Sequence, residues 1–299
     1  MKLKELGALF LLASMWGASF LFIRVAAPAF GPFLLVDLRV LIAGLALLIY
    51  AFLIKQRPDF RTKWKEYLIL GGLNAAIPFT FIAAATLHLT ASMAAILNAT
   101  TPLFGAIIAR IWLKESLTFK KLIGIPLGLI GVVILVGWNT VPLTGTVFLS
   151  VLFSLLGAAT YGLGGAYANR TFKQETPLTL SIGQQLAAGI LLIPFLFTNA
   201  APGPFSSTVI LNLLALAIIC TAIGYLIYFY LIAHVGSTKT LTVTFLVPFF
   251  GVIWGAIFLH EAITWGTVLG LITILGSTFL ITDVKWKHSK QMKRSKHQQ

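Results

Sequence analysis

The sequence is short of charge. Only 10% of its 299 residues are Asp, Glu, Lys or Arg, against 58% hydrophobic residues and a mean hydropathy of +0.94. So few ionic groups cannot clothe a water-soluble surface. Cysteine is nearly absent as well. Cys220 stands alone within an apolar run, which excludes an intrachain disulfide and a multi-cysteine metal site. No Gly-x-x-x-x-Gly-Lys-Ser/Thr loop is present, which excludes ATP hydrolysis by that class of site. His-Glu-x-x-His, Gly-x-Ser-x-Gly and paired intramembrane aspartates are missing too, leaving an intramembrane enzyme without nucleophile or metal. The expectation is a protein that is no enzyme and needs no cofactor.

Apolar runs are what the chain has in quantity. They recur at about 20 residues, the length that crosses a hydrocarbon core of about 30 Å. Spans are expected near 5–26, 33–54, 66–87, 92–112, 120–138, 146–168, 179–198, 208–232, 239–259 and 264–283. Gly31-Pro32, Pro58-Asp59, Pro142, Pro177 and Pro202-Gly203-Pro204 fall between them, as turn chemistry requires. The expected fold is an all-α polytopic membrane protein of ten transmembrane helices. The first run follows Lys2 and Lys4 in the manner of a signal peptide, yet it carries Trp16 and Arg24, so it reads as a retained span.

Net charge is +14, and its placement decides its meaning. Basic residues lie in short loops beside spans, the positive-inside pattern, rather than on a face suited to nucleic acid. With the N-terminus inside, alternate loops collect Lys55, Arg61, Lys63, Lys65, Lys114 and Lys120, and only Arg24 and Arg39 are left toward the outer side. Both termini are expected in the cytoplasm and the protein in the cytoplasmic membrane. The basic tail 285–299 fixes orientation, and weak binding to anionic lipid is a second reading.

The chain repeats itself. An offset of 146 pairs Pro102 with Pro248, Phe104-Gly105 with Phe250-Gly251, Glu115 with Glu261, Thr118 with Thr264 and Arg24 with Arg170, without a gap. Two repeats, 1–138 and 147–284, of five spans each must run in opposite senses, because five is odd. Inverted repeats of this kind build secondary transporters.

Proline removes a helical N–H and displaces the carbonyl four residues before it. Pro102 and Pro248 therefore predict helix kinks with free carbonyls at Asn98 and Thr244, each behind a run of polar residues that includes Thr101 and Thr242. A free carbonyl is tolerable in a membrane only against protein or a wet cavity. Two kinks at equivalent positions predict a central cavity. Its expected substrate-binding residues are Trp16, Asn98, Thr101, Tyr161, Gln185, Tyr225, Thr244 and Trp254, with Gln184 beside Gln185 as further material for the pocket. Arg24, Asp37 and Arg39 are the charged gating or coupling candidates. For Arg24 and Asp37, which flank the turn Ala27–Pro32, a satisfied structural pair is the alternative. Glu115 and Glu261 lie at span ends, too far apart for an acid/base pair. They are expected to cap the following helices together with Thr118 and Thr264, gating being the alternative.

The Trp-Gly-x-Ser-Phe segment Trp16–Phe20, Arg39 in the second span, and the repeated Pro-x-Phe-Gly followed by Lys/His-Glu resemble the EamA-type branch of the drug/metabolite transporter superfamily. The resemblance covers essentially the whole chain. It implies ten helices, a central cavity lined by both halves, and secondary transport of small metabolites, often export of amino acids or related compounds. The expected partners are a small-molecule substrate, membrane lipids, and either a coupling proton or no coupling ion. The competing expectation is a non-transporting membrane protein such as a lipid scramblase or scaffold.

Overall fold

The computed structural model describes residues 1–56, 58–112, 114, 116–138, 141–198 and 203–282. Glu115 and the basic tail lie outside the described residues. Among the described residues the chain is helical with no strand. In lipid a spanning backbone must satisfy its own N–H and C=O groups, and uninterrupted apolar runs of this length do so as helices.

The helices are α1 (Leu3–Phe30), α2 (Pro32–Leu53), α3 (Trp64–Ala85), α4 (Ala91–Trp112), α5 (Phe119–Gly137), α6 (Gly145–Thr171), α7 (Pro177–Leu196), α8 (Ser207–Val235), α9 (Val243–Leu259) and α10 (Trp265–Thr282). Among the described residues nine are long enough and apolar enough to cross a membrane, and the tenth, α9, is a shorter apolar helix. It is preceded by a single helical turn, Ser237–Thr240. The loops start helices where the sequence supplies a hydroxyl. Thr90, Thr144, Thr176, Ser206 and Thr264 accept hydrogen bonds from the backbone N–H three residues on. Between α1 and α2 the chain reverses at Gly31 alone. Its φ of +71° closes a bond from its N–H to the Ala27 carbonyl, and Pro32 opens the next helix.

Packing follows the repeat. Exchanging α1 with α6, α2 with α7, α3 with α8, α4 with α9 and α5 with α10 maps the main contacts onto themselves. The α1–α9 contact maps onto α4–α6, α3–α6 onto α1–α8, and α2–α8 onto α3–α7, while α2–α7 and α5–α10 map onto themselves. Small residues set the closest approaches. A β-carbon on Gly17 would stand 2.6 Å from Phe250 Cβ and 2.9 Å from Gly251 N, and one on Gly162 would stand 2.8 Å from Gly105 N. These two seats are equivalent, α1 on α9 and α6 on α4, with 162 − 17 = 145 against 251 − 105 = 146. Without hydrophobic drive between helices in lipid, such backbone approach is what holds a bundle together.

Two interruptions of α-helical geometry also obey the repeat. Gly72–Ala76 in α3 and Ala215–Ile223 in α8 are π-helical. Adding 146 to the first range gives 218–222, inside the second.

The kinks differ between halves. The helix of α4 stops at Asn98 and restarts at Thr101, so Pro102 sits in the first turn of a new segment, where its missing N–H costs nothing. The carbonyls freed there are taken by hydroxyls: Leu97 O by Thr100 at 2.6 Å, Asn98 O by Thr101 at 2.7 Å and Ala99 O by Thr278 of α10 at 3.0 Å. In the second half Pro248 lies inside the continuous helix α9, and the chain breaks earlier, at Leu241–Thr242. The break thus lies before Thr244, while Pro248, which has no N–H, still withholds the helical donor from the Thr244 carbonyl. Thr244 turns its N–H and its hydroxyl to the Leu241 carbonyl, at 3.1 and 2.8 Å.

Candidate functional site

A cavity of about 460 Å³ lies where α1, α4, α6 and α9 meet, with α2, α3 and α8 closing its sides. That volume suits one small organic molecule. Its floor comes from the two proline-bearing helices: Asn98, Thr101 and Pro102 on one, Thr244, Val247 and Pro248 on the other. The close seats at Gly17 and Gly162 position the aromatics. Each places the residue before it, Trp16 or Tyr161, against the cavity.

The π-helical turns bring in two residues that ordinary helical spacing does not point to. Asn74, within the turn of α3, and Thr221, within that of α8, both line the cavity. Such turns insert a residue and re-aim the side chains around it, and they recur at functional sites. Asn74 donates from Nδ2 to Gln184 Oε1 at 2.8 Å, and Gln184 donates from Nε2 to the Tyr225 hydroxyl at 2.9 Å. This chain of amides leaves the Tyr225 O–H free to donate toward the cavity. Trp16 meets Tyr225 edge-on at 6.2 Å between centroids and Tyr228 at 5.5 Å.

Arg39 is the one charged side chain among the described residues of the lining. It is 6% exposed. Its Nε donates to Thr221 Oγ1 at 3.0 Å, and its guanidinium carbon lies 3.8 Å from the centre of the Phe79 ring. Thr221 in turn donates to the Leu216 carbonyl at 2.8 Å, which fixes its oxygen as acceptor for the arginine. Phe79 meets Tyr161 edge-on at 6.0 Å. A cation–π contact and one hydrogen bond hold the head group without neutralising it.

Of the expected binding residues, Trp16, Asn98, Thr101, Tyr161, Tyr225 and Thr244 line this cavity. Gln185 and Trp254 do not. One residue is about 100° of helix rotation, so Gln184 and Gln185 face different ways. Gln184 takes the place expected for its neighbour, whereas Gln185 is fully buried, with its Cβ packed close to Gly44 of α2. Trp254 lies six residues beyond Pro248, on another face of α9, and donates its indole N–H to the Ser14 carbonyl at 3.1 Å. Phe79, Asn74 and Thr221 were missed. Two of them are polar residues inside apolar spans, which was the available signal.

The charged residues near the α1–α2 turn do not pair. Arg24 donates to the carbonyls of Thr86 and Leu87, the free acceptors at the end of α3, and Asp37 is 3% exposed with no partner for Oδ1. Glu261 does meet a helix N-terminus, but not that of the helix that follows it. Its carboxylate accepts from the N–H groups of Ala91 and Ser92 at 2.6 and 2.9 Å and from the Ser92 hydroxyl at 2.5 Å, capping α4 in the other half of the chain. The start of α10 is capped by Thr264 alone. The Arg24 and Glu261 ties bridge helix ends just beyond Ile23 and Ile82, where the cavity stops. In the other direction the lining continues to Leu241, before α9, and to Thr282, the last residue of α10.

The EamA-like transporter family matches the chain twice, over residues 3–137 and 148–283. The uncharacterized transporter YvbV of Bacillus subtilis (strain 168) is 27% identical over 274 residues, which span 90% of this chain and 88% of that protein. Protein PecM of Dickeya dadantii (strain 3937) is 23% identical over 287 residues, 95% of this chain and 93% of that one. A solved crystal structure superimposes with a TM-score of 0.65 at 17% identity, covering 94% of this chain and 96% of its own, a likeness of fold. The family and the Bacillus subtilis relative are named for transport and not for catalysis. The chain is a membrane protein of the EamA-like transporter family.

Proposed function

We propose that the protein is a secondary transporter that exports a small amphipathic organic solute across the cytoplasmic membrane by alternating access. The observation that carries this reading is the single-molecule cavity at the junction of two proline-bearing helices, one from each half. On this reading residues 1–138 and 147–284 are inverted repeats that rock about the cavity. The exchange symmetry of the helix contacts and the paired π-helical turns support it. The polar end of the solute meets Asn98, Thr101 and Tyr225, and its apolar body lies against Trp16 and Tyr161.

On this reading the loops rich in Lys and Arg, at the end of the bundle toward which the cavity extends, face the cytoplasm, and the cavity is open inward and tied shut outside. An exporter at rest would wait in that state for its load. A coupling proton on Asp37, which does not line the cavity, would act through helix packing rather than by touching the solute. Reconstituted into liposomes, the protein should give saturable flux and counterflow of a small aromatic solute. Lipid flip-flop without saturable solute flux would favour a scramblase instead.

A further inference from the structure

The cavity carries a cation and no anion. Arg39 has five N–H donors, and Thr221 takes one of them. Among the described residues, no side chain or carbonyl accepts the other four and no carboxylate pairs with the guanidinium. The single ion pair there, Lys63–Glu175 at 3.1 Å, lies in the loops. The lining holds no Asp, Glu, Lys or His. A guanidinium buried at membrane depth without a counterion is costly. Phe79 and Thr221 hold the planar group in one orientation, so its free edge is preorganised as a fork, the geometry that matches a carboxylate with two parallel bonds.

We infer that the solute is an organic monoanion, an aromatic or similarly apolar carboxylate, whose charge is the missing counterion of Arg39. This inference rests on the transport reading above and narrows its substrate. The carboxylate takes the two outer nitrogens of Arg39, the Tyr225 hydroxyl donates to it, and the ring lies between Trp16 and Tyr161. A free ammonium on the same solute would find no carboxylate among the described lining residues, so zwitterions bind less well than simple acids. Binding neutralises the site, and the loaded cavity crosses the membrane field with less net charge than the empty one.

Four probes that share a benzyl group and differ in its polar end separate the possibilities: phenylacetate, phenylacetamide, phenylalanine and phenethylammonium. Their binding is measured by calorimetry on the full chain in lipid nanodiscs, and their counterflow in proteoliposomes. Phenylacetate should bind best, with the neutral amide weaker by roughly 10- to 100-fold, the worth of a charged hydrogen-bonded contact. Arg39→Gln should erase that preference and Arg39→Lys should keep its sign. Equal affinity for the four probes, preference for phenethylammonium, or no binding of phenylacetate overturns the inference. The wild-type ranking decides this even if the glutamine variant does not fold. Arg39-dependent binding of phenylacetate without counterflow sinks the transport reading and leaves the anion site standing. Saturable flux of the cation, indifferent to Arg39, does the reverse.

Discussion

Glu261→Gln is the most direct test of how the cavity is closed at the end away from the basic loops. The carboxylate holds two backbone N–H groups and one hydroxyl at the start of α4, at 2.5 to 2.9 Å. A glutamine keeps one oxygen and turns an amide N–H against a donor, and it loses the charge that complements the helix N-terminus. Hydrogen bonds to a charged group are each worth about 1.5–3 kcal/mol and a neutral replacement about 1 kcal/mol. Taken at the low end of that range, the three bonds lose about 0.5 kcal/mol each and the dipole contributes about 0.5 kcal/mol more, a net loss of about 2 kcal/mol. If this tie exists in the closed state and not in the outward-open one, the equilibrium between them moves by about 30-fold. The assay places a cysteine at Ile82, which lines the cavity at 3% exposure one turn inside Thr86, in a Cys220→Ala background. An impermeant maleimide applied to intact cells should label it up to about 30 times faster when Glu261 is glutamine. The purified variant should also melt several degrees lower. An unchanged labelling rate with an unchanged melting point would refute the closure argument.

Gly162→Val should destabilise the folded protein by about 1–3 kcal/mol through overpacking, since even a β-carbon would stand 2.8 Å from Gly105 N; thermal melting in detergent reads this directly. Trp16→Ala should abolish counterflow while Trp254→Ala retains it at lower thermal stability, because only the first indole lines the cavity. Tyr225→Phe should weaken binding of the anionic solute by roughly 10- to 100-fold, the worth of one hydrogen bond to a charged group, with folding preserved; calorimetry measures it. Single cysteines at Ser206 and Thr62, with Cys220 removed, should react with an impermeant reagent from outside the cell at the first position and not at the second. Outside labelling at Thr62 would reverse the orientation.

Apolar length alone disclosed the ten helices, because in lipid a backbone has few other ways to satisfy itself. The repeat also disclosed where the cavity would lie, since Pro102 and Pro248 announce it together. What the one-dimensional pattern could not carry was helix rotation. Gln184 and Gln185 are equally polar, and only the orientation of α7 against α3 decides which one reaches Asn74. Trp254 falls outside the cavity lining for the same reason: aromatic character says nothing about which face of α9 meets α1. The π-helical turns escaped notice because no residue type marks them, as Gly72–Ala76 and Ala215–Ile223 share spacing rather than composition. Glu261 was read as a local cap because the sequence offers its own neighbours first. Its partner lies 170 residues away, at the start of α4.

The hydroxyl-lined break in α4 has an electrical consequence. Water is one of the partners that can complete an interrupted transmembrane helix, and a file of waters conducts protons. Here the carbonyls of Leu97, Asn98 and Ala99 are each taken by a threonine of the chain itself, so the gap needs no hydration to be stable. The empty protein can therefore stand in an energised membrane without short-circuiting it, and vesicles containing it should hold a proton gradient as long as protein-free vesicles do. Thr278→Val, which strips the Ala99 carbonyl of its donor, invites a water into the break. It should turn a tight membrane into a slowly leaking one before it impairs transport.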